Sequence, residues 1–266
     1  MEMLFEQPVK FPFIVNQEVR YPLVVCSHER SGTHFLMNSI AANTSYVAKP
    51  WLNFDLYPLG SFINFYSQGG VSKFLHDIGS IKSGDGMNTL ASIIKSHHES
   101  DFFTQSFANR NLRFIYIYRN PADTLISLWR FMHRWNWHEG MVAETPLEFA
   151  SCAPEGQMMR YQYGSYASYF DRWASHVSGW KRACEENDNI MLVQYESLKN
   201  HYSEEMKKIS GFLQMEPAQG DFRQPDREEY IKGNEITLSE DDKGRVIAFI
   251  NEHLEGYPEI KNMLSL

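Results

Sequence analysis

Cysteine is scarce in this chain. Cys26, Cys152 and Cys184 are the only three in 266 residues, and none forms a CxxC pair. An odd number at wide spacing supports neither a disulfide framework nor a cysteine zinc site. Positive charge is also in short supply. Lys and Arg total 25 against 33 Asp and Glu, for a net charge of −8. The basic footprint of a general nucleic-acid binder is therefore missing, so no nucleic-acid partner is expected. A small anionic ligand is still compatible, because it needs only a local pocket of donors. No apolar run approaches the roughly 18 residues that a membrane span requires. The first twenty residues lack a basic start followed by a long apolar stretch, so no secretory signal is expected and a cytoplasmic location is the simplest reading. The histidine pairs His97-His98 and His133…His138 miss the i, i+4 spacing of a helical zinc site, and no metal is expected.

What is present is ordinary for a globular protein: 43% apolar and 22% charged residues, with aromatics at 14%. The length allows one sizeable α/β domain or two small ones. Short apolar runs at Leu23–Cys26, Ile93–Ile94, Phe114–Tyr118 and Ile190–Val193 do not alternate with polar residues, and each lies near a helix-like segment. Continuous apolar strands separated by helices predict a parallel sheet buried on both faces, in an α/β architecture. After Tyr118, Asn120 is placed to cap a helix, Pro121 fits its first position and Asp123 its first turn. Leu125, Leu128, Trp129 and Met132 then form one apolar face. Further helices are expected over Tyr166–Cys184, Glu204–Leu213 and Leu238–Leu254. The stretch Asn43–Asn88, rich in Gly, Ser, Asn and aromatics, reads as the least regular part and a candidate substrate-shaping insertion.

The first strand runs directly into Ser27-His28-Glu29-Arg30-Ser31-Gly32-Thr33-His34-Phe35. A strand, a tight turn with Gly and hydroxyls, then a helix is the arrangement that presents backbone N–H groups and a helix dipole to phosphate. Arg30 adds a permanent cation with several donors. The first Gly and the Lys of GxxxxGK[ST] are both absent, which weakens a Mg-ATP reading. Taken alone, the segment is compatible with a structural turn.

Four segments in order resemble those of sulfotransferases that use 3′-phosphoadenosine 5′-phosphosulfate (PAPS). Arg30-Ser31-Gly32-Thr33 is similar to the family's 5′-phosphosulfate loop. Ile94-Lys95-Ser96-His97 resembles its Lys-Thr-His segment, and Tyr118 to Ser127 its Arg-Asn-Pro-x-Asp…Ser segment. Val193 to Lys199 resembles its Tyr-Glu-Asp-Leu-Lys stretch. The matches span roughly residues 22 to 215. The resemblance implies a single sulfotransferase-like domain over residues 1–266, with the α/β fold of a P-loop-containing three-layer sandwich: a central parallel β-sheet flanked by helices. It further implies that Arg30, Ser31, Gly32, Thr33 and His34 hold the 5′-phosphosulfate and that Phe35 offers an aromatic face to adenine. Arg119 and Ser127 would bind the 3′-phosphate, and Tyr195 would lie near adenine, with simple packing as its rival role. His97 would serve as general base, with Lys95 and Arg30 stabilising charge on the transferring group.

One departure stands out. The family's closing Arg-Lys-Gly and Gly-Asp-Trp-Lys segment is reduced here to Tyr230-Ile231-Lys232-Gly233 with no Trp. Lys232 and Gly233 are the candidates to cover the nucleotide, with Arg227 as an alternative. Phe62, Phe65, Tyr66, Phe102, Phe103, Trp129, Phe131, Trp135 and Trp137 surround these segments in sequence, as either an apolar acceptor pocket or core. The partner expected is a small acceptor presenting a hydroxyl or an amine. Two other readings stay open: a P-loop small-molecule or nucleoside kinase, and an adenine-nucleotide-binding protein without catalysis.

Overall fold

The computed structural model describes residues 14–53, 75, 89–134, 140–215, 221–225 and 236–264. The strands are β1 (Val15–Asn16), β2 (Leu23–Ser27), β3 (Val47–Asn53), β4 (Thr89–Leu90), β5 (Ser92–Ser96), β6 (Arg113–Tyr118) and β7 (Ile190–Gln194). The helices are α1 (Thr33–Asn43), α2 (Thr104–Phe107), α3 (Pro121–Arg134), α4 (Pro146–Ser151) and α5 (Tyr169–Glu186). They continue with α6 (Tyr195–Asn200), α7 (Tyr202–Leu213), α8 (Glu240–His253) and α9 (Pro258–Lys261). Five strands form one sheet in the order β3-β5-β2-β6-β7, and every pairing in it is parallel. β1 and β4 make a separate antiparallel pair.

Both faces of the large sheet are covered, which explains why its central strands read as unbroken apolar runs. Along β2 and β6 the side chains alternate between two cores. Val24, Cys26, Phe114 and Tyr116 join Leu125, Trp129, Trp173, Trp180 and Val246 from α3, α5 and α8. Leu23, Val25, Ile115 and Ile117 join Leu36 and Ile40 of α1, Leu198 of α6, and Met206 and Ile209 of α7 on the opposite face. The result is the parallel sheet buried on both faces that the pattern predicts, in the three-layer α/β sandwich that the resemblance implies.

Each expected strand and helix is present, with boundaries moved by a few residues. Asn120 caps α3 as expected, its Oδ1 accepting from the Ala122 and Asp123 amides. The helix expected from Tyr166 starts at Tyr169 behind Ser168, whose side chain accepts from the Asp171 amide. The irregular reading of Asn43–Asn88 missed β3. That strand carries Lys49 and Pro50, sits at the sheet edge, and changes register between Val47 and Leu52. A proline cannot donate to a ladder and is tolerated at such an irregular edge. Among the described residues, no helix is long and apolar enough to cross a membrane.

Parallel register brings the carboxyl ends of four strands to one rim. Cys26 pairs with both Ser96 and Tyr116, and Tyr118 with Gln194. The residues that follow, Ser27 to Gly32, His97, Arg119 and Tyr195, therefore emerge at a common edge, where open α/β sheets bind ligands.

Candidate functional site

The turn between β2 and α1 has a constrained backbone. Arg30 and Gly32 both take positive φ, 67° and 99°, and Gly32 is the residue from which α1 starts. The loop thereby turns the first N–H groups of α1 toward the rim, the arrangement that suits an anion. Ser31 Oγ is buried with no hydrogen-bond partner among the described residues. A buried hydroxyl of this kind calls for an occupant, since leaving it unsatisfied costs about 1–3 kcal/mol.

Thr33 and His97 are joined through Ser27. Ser27 Oγ lies 2.6 Å from Thr33 Oγ1 and 3.2 Å from His97 Nδ1, and the Ser27 carbonyl is 2.9 Å from the same Nδ1. A carbonyl only accepts, so Nδ1 carries the proton in this bond and the lone pair of neutral His97 resides on Nε2. Lys95 lies two residues earlier on β5 and is buried. His34 meets Trp51 edge-on at 5.0 Å.

Cations gather beside the loop. Arg30 Nε donates to Ser127 Oγ at 3.2 Å, and its guanidinium lies over Phe131. Arg119 pairs with the exposed carboxylate of Asp123 at 3.2 Å and lies 4.8 Å from the Tyr195 ring centre. Partial desolvation, then the like charges of Arg119 and Arg134, pull the Arg30 pKa below the ordinary guanidinium value. Like charges held together in this way favour an anion between them. Phe35 meets Tyr195 edge-on at 5.9 Å. Arg30, Ser31, Gly32, Thr33, His97, Arg119, Ser127, Phe35 and Tyr195 thus share one rim. Lys232, Gly233 and Arg227 lie outside the described residues, as do Phe62, Phe65, Tyr66, Trp135 and Trp137.

The described aromatics expected around the acceptor lie in the core or packed against it. Phe102 stacks on Tyr163 at 4.4 Å and lies 4.1 Å from the His98 ring. Trp129 and Phe103 belong to the core, with Trp129 Nε1 donating to the Ala143 carbonyl. Tyr161 stands edge-on to His97 at 5.8 Å.

Residues 21–233 match the sulfotransferase domain family. The chain belongs to that family. It is 28% identical over 122 residues to Cytosolic sulfotransferase 16 of Arabidopsis thaliana, covering 46% of this chain and 33% of the relative. Against Cytosolic sulfotransferase 13 of the same plant it is 24% identical over 198 residues, 72% of this chain and 53% of the relative. The chain therefore spans about a third to a half of the length of these relatives. The mouse sulfotransferase SULT7A1 complexed with PAP aligns over 87% of this chain and 64% of its own at 18% identity, with a TM-score of 0.49.

Beneath the loop lies a polar cluster that reading the sequence did not find. Arg172 of α5 is fully buried and pairs in forked fashion with Glu29, Nη2 to Oε1 at 2.7 Å and Nη1 to Oε2 at 2.8 Å. Its Nη1 also lies 2.8 Å from His28 Nε2, and its Nε donates to Gln162 Oε1 at 2.9 Å. An arginine cannot accept, so His28 Nε2 does, and His28 Nδ1–H donates to the Glu29 carbonyl at 3.1 Å. His28 is thereby held neutral. Burial, reinforced by Arg172, lowers its pKa to about 4 against the opposing pull of Glu29. Burial pushes the Glu29 carboxyl up, but the charge and hydrogen bonds of Arg172 outweigh it and hold it well below the usual range. One turn along α5, His176 Nε2–H donates to the His97 carbonyl at 3.0 Å, and Nδ1 accepts from Tyr116 Oη at 2.8 Å. The available signal was the i, i+4 spacing of Arg172 and His176 inside a helix otherwise packed with Phe170, Trp173, Val177 and Trp180.

Proposed function

We propose that this chain binds PAPS and transfers its sulfuryl group to a hydroxyl or amine of a small apolar or aromatic acceptor. The observation that carries the reading is the buried Ser31 hydroxyl, without a described partner in a positive-φ loop at a helix start, flanked by Arg30 and Arg119. A phosphosulfate suits that set. Its oxygens accept from the hydroxyl, from the amides that open α1 and from a forked guanidinium. Arg119 and Ser127 would hold the 3′-phosphate, and Phe35 and Tyr195 would offer aromatic surface to adenine.

PAPS supplies the activated sulfuryl group when bound. The chain's own contribution is to place and charge the groups around it. His97, with its proton fixed on Nδ1 by the Ser27 carbonyl, is oriented to accept the acceptor's proton at Nε2. Arg30 and Lys95 would neutralise charge that builds on the sulfuryl and bridging oxygens. Tyr161 stands edge-on to His97, and the exposed ring of Tyr163 two residues on, stacked on buried Phe102, would offer the acceptor an apolar surface.

A thermal-shift comparison tests the reading. 3′-Phosphoadenosine 5′-phosphate (PAP), AMP and Mg-ATP are titrated against the chain, since a ligand selective for the folded state raises the midpoint. Stabilisation by PAP well beyond AMP is expected. A response to Mg-ATP alone would replace this reading with a kinase.

A further inference from the structure

Three catalytic segments converge on one helix. Arg172 touches the phosphate loop through Glu29 and His28, and the 156–166 segment through Gln162. That second segment carries Tyr161 and Tyr163 beside His97 and Phe102. It is tied down again by Glu99, whose carboxylate accepts from the Tyr163 amide at 2.9 Å and from the Tyr166 hydroxyl. His176 grips the backbone of His97 itself. Loop, 156–166 segment and base are thus each hydrogen-bonded to one of two side chains that lie one helical turn apart.

We propose that Arg172 and His176 act as a positioning clamp that sets the distance between the phosphate loop, His97 and the acceptor wall. This rests on the sulfotransferase reading of the site. A buried forked ion pair is a poor source of net stability, because desolving both charges offsets most of their attraction. Its value lies in geometry: a guanidinium using Nε, Nη1 and Nη2 at once fixes the loop and the 156–166 segment relative to α5, from which His176 reaches His97. Catalysis needs that fixity, because small errors in the approach of reacting groups reduce rates by large factors.

The decisive variant is Glu29→Leu with Arg172→Met, which replaces the ion pair by apolar groups of similar bulk. Such replacements generally preserve folding, whereas Arg172→Met alone strands a buried carboxylate. The clamp predicts that the double variant, which leaves His28 Nε2 and Gln162 without their donor, still folds cooperatively yet loses at least tenfold in kcat/KM. His176→Leu should lower kcat tenfold or more with little change in PAP affinity. His176→Gln, whose amide can still donate to the His97 carbonyl, should recover most of it. Parent-like kcat/KM in the double variant, or equal kcat in His176→Leu and His176→Gln, would overturn the clamp.

Gln162→Leu guards against a double variant that fails to fold, since Gln162 is only half-buried. It should raise the acceptor KM at least threefold with PAP affinity unchanged, and unchanged KM and kcat would count against the clamp. Hydrogen exchange separates this proposal from the functional one. Even if the parent binds no PAP, amides of residues 28–33 and 161–163 should exchange at least tenfold faster in the folded double variant. Parent-like protection there would again overturn it.

Discussion

Tyr195 fills the space that a side chain on residue 32 would need. A methyl built on Gly32 would lie 2.9 Å from Tyr195 Cε2 and nearer still to Cδ2, at a backbone φ of 99° that favours glycine. Two separate penalties therefore guard this position, one steric and one conformational.

Gly32→Ala should cost on the order of 1–3 kcal/mol and lower PAP affinity, because the loop must shift to relieve both. Adding Tyr195→Ala removes the clash but leaves the φ strain, so the double variant should recover only part of the stability lost at residue 32. Urea unfolding of the two single variants and the double variant measures this coupling. Strict additivity would show that the ring does not restrict the loop.

His97→Ala should abolish turnover, by about 100-fold or more, while PAP affinity stays within threefold. The ring is held on its Nδ1 side by Ser27, so its removal leaves the backbone of the β2–α1 turn in place. Full activity of this variant with a verified acceptor would remove His97 from the role of base.

Arg119→Ala should weaken PAP about tenfold to 100-fold, in keeping with about 1.5–3 kcal/mol for a hydrogen bond to a charged group. AMP, which lacks the 3′-phosphate, should be affected far less. Calorimetric titration of both nucleotides makes the comparison. Equal losses for the two would place Arg119 elsewhere on the nucleotide.

Much of this site was readable because its parts are contiguous. The strand, Ser31-Gly32-Thr33 and the following helix form one uninterrupted segment, and the buried strands announce themselves as apolar runs because both sheet faces are covered. The clamp was not readable in the same way. Arg172 lies far along the chain from Glu29, and an arginine flanked by helix-forming residues reads as a solvated charge until tertiary packing buries it. β3 escaped for a local reason: Lys49 and Pro50 break the apolar run, and only an edge strand with a register shift accepts them.

The neutral histidines behind the loop make acid stability a further readout. His28 titrates near its ordinary 6.5 in the unfolded chain but at about 4 in the folded one. Between those values the unfolded state binds more protons, so stability must fall as pH falls. The shift is equivalent to about 3 kcal/mol, fully present above pH ~6.5 and gone by pH ~4. His176 acts in the same direction, its pKa held well below 6.5 chiefly by burial. Glu29 extends the loss below the usual carboxylate range as its ion pair with Arg172 is protonated away. Urea midpoints at pH 7.5, 6 and 5 should therefore decline in order. His28→Gln, which keeps an acceptor for Arg172 without a titrating ring, should flatten part of that decline. A midpoint that held steady or rose toward pH 5 would mean that the histidines accept protons in the folded state, and the hydrogen-bond directions assigned to His28 and His176 would have to be reversed.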